Sequence, residues 1–124
     1  MRRVIVQYKV KADKAAENER FAKAVFAQLE RESTAGVHYA TFKLEDGVSF
    51  VHFATIDDSG GTNPLTALSA FQAFLEQIKE RCEVLPFSTT WTEVGNYRLL
   101  SPGANSSAVP VAASSGSKAA SATI

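Results

Sequence analysis

Val37-His38-Tyr39-Ala40-Thr41-Phe42-Lys43-Leu44, then Glu45-Asp46-Gly47, then Val48-Ser49-Phe50-Val51-His52-Phe53-Ala54-Thr55-Ile56 reads as two β-rich runs about a short turn. Asp-Gly between such runs is a strong short-range hairpin signal. Upstream, Val4-Ile5-Val6-Gln7-Tyr8-Lys9-Val10 alternates, with Val4, Val6, Tyr8 and Val10 on one face and Ile5, Gln7 and Lys9 on the other. Between that strand and the hairpin, Phe21, Val25 and Leu29 recur at helical spacing over about residues 15–33. Asp13 is placed to cap this helix and Gly36 to stop it.

Downstream of the hairpin, Asp57-Asp58-Ser59-Gly60-Gly61-Thr62-Asn63-Pro64 is a loop, long enough to fold over the mouth of a pocket. Ser69-Ala70-Phe71-Gln72 fits a capping box, and Phe71, Phe74, Leu75, Ile78 and Cys82 mark the core stripe of a second helix. Pro86 is expected to end that element, and the last strand to run from Phe87 to about Leu99, carrying Trp91, Val94 and Tyr97. The order β-α-β-β-α-β predicts a ferredoxin-like α+β sandwich, four antiparallel strands with two helices on one face. Residues 1–100 form this domain. Residues 101–124, rich in Ser, Ala, Gly and Pro, are expected to be a disordered tail that cannot bury enough apolar surface to offset chain entropy.

At 124 residues, with 45% apolar and 21% charged side chains, the chain has the profile of one globular domain. Thirteen basic and thirteen acidic residues cancel, and no basic cluster interleaves with aromatics, so neither nucleic acid nor a membrane surface is an expected partner. No apolar run approaches the ~20 residues that span a bilayer. The start, Met1-Arg2-Arg3-Val4-Ile5-Val6-Gln7, reads as a strand rather than a leader. One cysteine, Cys82, excludes an intramolecular disulfide, and a cytoplasmic protein is the default reading.

Two histidines, His38 and His52, sit on the adjacent strands of the hairpin. Pairing Leu44 with Ser49 puts them on opposite faces, whereas pairing Leu44 with Val48 puts them on one, since a slip of one residue inverts a strand. His52, inside Val51-His52-Phe53-Ala54, is the candidate base: a neutral imidazole in an apolar pocket. A core histidine satisfied by a hydrogen bond is the plainer alternative. Trp91 and Tyr39 combine a flat apolar surface with a polar handle, suited to a planar hydrophobic ligand. Phe50 beside them and Asn63 in the long loop complete the expected ligand-binding set, and Arg81 and Arg98 are candidate anion contacts. No carboxylate or His/Cys cluster has metal-ligand spacing, and no phosphate-binding or dinucleotide fingerprint is present.

Val4-Ile5-Val6-Gln7-Tyr8-Lys9-Val10-Lys11, Glu17-Asn18-Glu19-Arg20-Phe21 and the stretches Asn63-Pro64-Leu65 and Ala70-Phe71-Gln72-Ala73-Phe74 resemble antibiotic biosynthesis monooxygenase-like domains. The resemblance covers about residues 3–98. It implies a ferredoxin-like domain that dimerises through its sheet into a dimeric α+β barrel. It also implies cofactor-free oxygenation, in which an electron-rich phenolate reacts with oxygen directly and the protein positions and deprotonates it. The haem-degrading branch of these proteins uses an Asn, a Trp and a His; here Gln7 stands where the Asn is expected and the second helix holds no His, which speaks against haem.

Three readings follow. The first is a cofactor-independent monooxygenase of a small aromatic or quinol, with His52 as base and Trp91, Tyr39 and Phe50 shaping the pocket. The second is a non-catalytic barrel that binds a small hydrophobic molecule. The third is a structural homodimer, motivated by the apolar residues on both sheet faces.

Overall fold

The computed structural model describes residues 1–99, so the tail expected at 101–124 lies outside the described residues. Strand β1 (Arg2–Val10) leads through a 3-10 turn (Ala12–Lys14) into helix α1 (Ala15–Glu32). Strands β2 (Val37–Lys43) and β3 (Ser49–Ile56) follow, then helix α2 (Ser69–Glu76), the single turn α3 (Ile78–Arg81) and strand β4 (Cys82–Thr90). The strands form one antiparallel sheet in the order β2-β3-β1-β4. This is the ferredoxin-like α+β architecture that the element order implied. The chain divides into a unit of residues Met1–Thr92 and a second beginning at Glu93. In the second, the Leu99 amide bonds Asn96 Oδ1 at 3.2 Å and the Arg98 guanidinium stands 5.2 Å over the Tyr97 ring.

Register decides what each face carries. Val6 lies opposite His52, Tyr8 opposite Phe50 and Val4 opposite Ala54, while Tyr39 pairs with Ala54 and Thr41 with His52. These residues share the face that the helices cover. Its core joins Tyr8, Val10, Phe50, Ala54 and Ile56 to Ala22 and Val25 of α1 and to Phe74 of α2. In the hairpin, the Leu44 amide bonds the Ser49 carbonyl at 2.8 Å, and Asp46 Oδ1 accepts from the amides of Val48 and Ser49. Gly47 turns the chain at φ +78°. Leu44 therefore pairs with Ser49, and the two histidines point to opposite faces: His38 is exposed and His52 is buried.

Four local expectations are corrected. Asp13 lies within the 3-10 turn, and α1 begins without a side-chain cap. The Ser69–Gln72 capping box does not form, because the cap arrives from another helix. Gln28 of α1 places its Oε1 2.8 Å from the Ala70 amide, and Gln72 Nε2 donates instead to the Thr66 carbonyl. Pro86 does not end a helix; it lies inside β4, and Cys82 opens that strand rather than closing α2. Two features make the proline harmless: β4 is an edge strand, and its pairing with β1 slips between Gln7 and Lys9, so Pro86 sits where a bulge needs no ladder donor. The last strand accordingly ends at Thr90, short of Trp91, Val94 and Tyr97. Gln28→Ala should destabilise the domain by about 1–2 kcal/mol through the lost cap, read as a lower urea midpoint; an unchanged midpoint would show that water caps α2 equally well.

Candidate functional site

Alternation along β1, β2 and β3 brings Tyr8, Tyr39, Thr41 and His52 together beneath the helices. His52 is 5% exposed, and both of its ring nitrogens are engaged. Tyr8 Oη lies 2.7 Å from Nε2, while Tyr39 Oη and Thr41 Oγ1 lie 2.6 and 3.0 Å from Nδ1. The arrangement continues away from the sheet. Asn18 Nδ2 of α1 donates to Tyr8 Oη at 2.8 Å, and Arg81 Nε donates to Asn18 Oδ1 at 3.0 Å. Five side chains from four elements thus form one buried polar chain, Arg81–Asn18–Tyr8–His52–Tyr39. Buried polar groups persist only when satisfied, so a chain of this length specifies its own geometry.

Burial sets the protonation states. It holds the His52 imidazole down at about 4 and pushes the Tyr39 phenol up to about 12. It also raises the Tyr8 phenol above its ordinary range, against the opposing hydrogen bond from Asn18. At neutral pH all three rings are uncharged. Arg81 is buried and keeps its charge, sandwiched between the rings of Phe21 and Phe74 at 4.6 and 5.1 Å.

A cavity of about 210 Å³ opens beside this chain, with Tyr39 and His52 in its wall. Its other lining is largely apolar, including Val6, Ile56, Leu65, Phe71 and Phe74. Exposed Arg2, Thr66, Leu75 and Pro86 mark its solvent side, and the Arg2 guanidinium lies 3.2 Å from Asp58 of the long loop. Drug-sized ligands take pockets of about 300–1,000 Å³, so this one suits a single small aromatic molecule.

No protein-family model and no curated protein sequence matches the chain. Solved structures do. A structure of an antibiotic biosynthesis monooxygenase superposes with a TM-score of 0.62 at 15% identity, over 77% of this chain and 100% of its own. The fold is that of antibiotic biosynthesis monooxygenase-like domains. Rv0793 from Mycobacterium tuberculosis shares it with a TM-score of 0.62 at 14% identity, over 76% of this chain and 95% of its own. SnoaB from Streptomyces nogalater, a cofactor-independent oxygenase solved as a variant, gives 0.56 at 15% identity, over 77% and 95%. Identities this low carry the architecture and leave residue roles to the geometry of this chain.

On this monooxygenase-like fold the residues expected at a site part company. His52 and Tyr39 meet in the cavity wall, and Asn63 joins the lining. Asn63 Oδ1 is also occupied in holding its own turn, through the amides of Leu65 and Thr66. Phe50 is buried against Tyr8, ring centroids 5.7 Å apart, outside the cavity lining. Trp91 packs edge-on against Phe53, 6.3 Å away, and Phe53 in turn meets Phe42. These three stand on the opposite sheet face, to which Val51 and Phe87 also belong by register. Sequence reasoning passed over Asn18 and the pairing of Tyr8 with His52, and it put Arg81 toward a ligand rather than behind Asn18. Among the described residues no three His, Cys, Asp or Glu side chains gather as a metal site, and no helix is long and apolar enough to cross a membrane.

Proposed function

We propose that the cavity binds one small phenolic or quinolic aromatic molecule and that the protein is a cofactor-independent monooxygenase of that compound. The observation that carries this reading is the Tyr39–His52 pair in the wall of a mostly apolar cavity of the right size. Both His52 nitrogens are taken by hydroxyls, so His52 governs the protonation of a bound oxygen through Tyr39 rather than by touching it. Once deprotonated, an electron-rich ring passes an electron to dioxygen, and carbon and oxygen then join. Loss of water turns a ring CH2 into C=O, so CH2 + O2 gives C=O + H2O with every electron drawn from the substrate. Structures named as a monooxygenase and as a cofactor-independent oxygenase share the fold, which supports the assignment. A second copy of the chain over the apolar sheet face of Phe42, Phe53, Phe87 and Trp91 completes the proposal as a homodimer.

A barrel that binds without turnover is the second reading, favoured by the absence of an open imidazole nitrogen in the cavity. An oxygen electrode separates the two. Against a panel of polycyclic phenols and quinols, the enzyme reading expects saturable uptake and a loss of about 10²-fold or more in Tyr39→Phe, within the usual range for proton-transfer groups. A compound present at a hundred times its dissociation constant adds about 2.7 kcal/mol to stability. That shift without oxygen uptake would leave the second reading standing, and neither signal would remove both.

A further inference from the structure

We infer that Arg81 fixes the direction of the buried hydrogen-bond chain, so that the cavity is offered a donor, the Tyr39 hydroxyl, and takes its ligand as the oxyanion. The ligand half of this inference rests on the preceding reading of the cavity; the direction of the chain does not.

The argument follows one hydrogen at a time. A guanidinium only donates, so the atom of Asn18 that faces Arg81 Nε is the carbonyl oxygen. The Asn18 amide nitrogen then faces Tyr8 and donates to its oxygen. Tyr8 has one hydrogen of its own, and the acceptor within reach is His52 Nε2 at 2.7 Å. If Nε2 carried the proton instead, the Tyr8 oxygen would receive two donors and its own buried O–H would have no acceptor, which costs more than the paired alternative. Nε2 is therefore the bare nitrogen, and Nδ1 carries the proton. It donates to Tyr39 Oη, with Thr41 Oγ1 as a second acceptor. The Tyr39 hydrogen is what remains, on a ring that lines the cavity.

Every dipole in this chain has its positive end toward the cavity, and a buried cation stands at its far end. Among the described residues no carboxylate pairs with Arg81; Glu17 acts on it only through the field, and Nη1 is buried without a partner. The titratable groups around the chain, Tyr8, Tyr39 and Cys82, all have their charged forms disfavoured by burial. The charge that complements Arg81 is thus left for the ligand to bring. A phenol or enol entering the cavity releases its proton to solvent at the mouth, and its oxygen accepts from Tyr39. Arg81 and Asn18 are positioning residues here, acting through Tyr8 and His52.

Nitrogen-15 NMR of the imidazole rings decides the direction, with exposed His38 as the internal comparison. We expect His52 neutral and protonated at Nδ1, the tautomer that free imidazole side chains disfavour; a proton on Nε2 would overturn the inference. Asn18→Asp should reverse the chain. Its carboxylate pairs with Arg81 and accepts from Tyr8, which then accepts from Nε2–H. The ligand half is read with para-nitrophenol, whose anion is coloured. Wild type should lower the apparent pKa of the bound probe by a unit or more, a tenfold preference for the anion, and Asn18→Asp should abolish that shift. A probe bound as the neutral phenol would overturn the oxyanion assignment even with the expected tautomer. Should Asn18→Asp not fold, the wild-type tautomer and probe shift still decide. A probe that does not bind, together with silence across the oxygen-uptake panel, would count against the cavity reading and leave the measured direction untouched.

Discussion

Arg81→Ala should cost about 4 kcal/mol and leave the domain close to unfolding. Small domains are stable by roughly 5–15 kcal/mol in all. The substitution removes the donors to Asn18 Oδ1 and the Phe74 carbonyl and strands both in the core, each worth about 1–3 kcal/mol. It also empties the slot between the rings of Phe21 and Phe74, adding the cost of a cavity. Arg81→Met fills that slot and has no charge to bury, so it should recover about 2 kcal/mol relative to alanine. Urea midpoints of the two variants test the partition. Equal midpoints would show that packing against the rings contributes nothing. A methionine variant more stable than wild type would show that the charge is maintained against stability, as a residue serving a ligand would be.

Much of this fold was legible because its elements obey their periods locally. The alternation of Val4, Val6, Tyr8 and Val10 and the helical recurrence of Phe21, Val25 and Leu29 each report one face of one element. What local reading missed was supplied from elsewhere in the chain. Gln28 caps α2 across 42 residues, and edge placement with a bulge lets Pro86 lie in a strand. The site was half legible. His52 and Tyr39 stood out as polar rings in apolar strands, but which face Trp91 joined depended on where β4 began. Asn18 and Arg81 did leave a trace. Asn18 lies on the stripe that continues through Ala22, Val25 and Leu29, and Arg81 extends the spacing of Phe74 and Ile78. Two polar residues at core positions of different helices are a signal that they meet. Only the packing of the helices shows that they do.

Acid should weaken the domain through His52. The unfolded imidazole titrates near its ordinary 6.5, whereas burial holds the folded one at about 4. Above about 6.5 both forms are neutral and this residue makes no pH dependence. As the pH falls from there toward 4, the unfolded chain takes up a proton that the folded chain refuses, so stability drops with pH. The full gap is worth about 3 kcal/mol, all of it lost by the time the folded imidazole titrates. Glu19, Asp46 and Asp57 also have lowered pKa values and push the same way, but they titrate at lower pH and lie at the surface, where such terms are small. His52→Gln keeps a polar side chain in the network and removes the proton site, leaving those carboxylates unchanged. Urea midpoints of both proteins from pH 7 to pH 4 should therefore start apart, by whatever the substitution costs, and converge as the pH falls. Parallel curves would mean that the folded imidazole titrates normally, and hence that water reaches it. In that case the two tyrosines do not seal His52 from solvent, and the chain that joins Arg81 to the cavity is open at its middle.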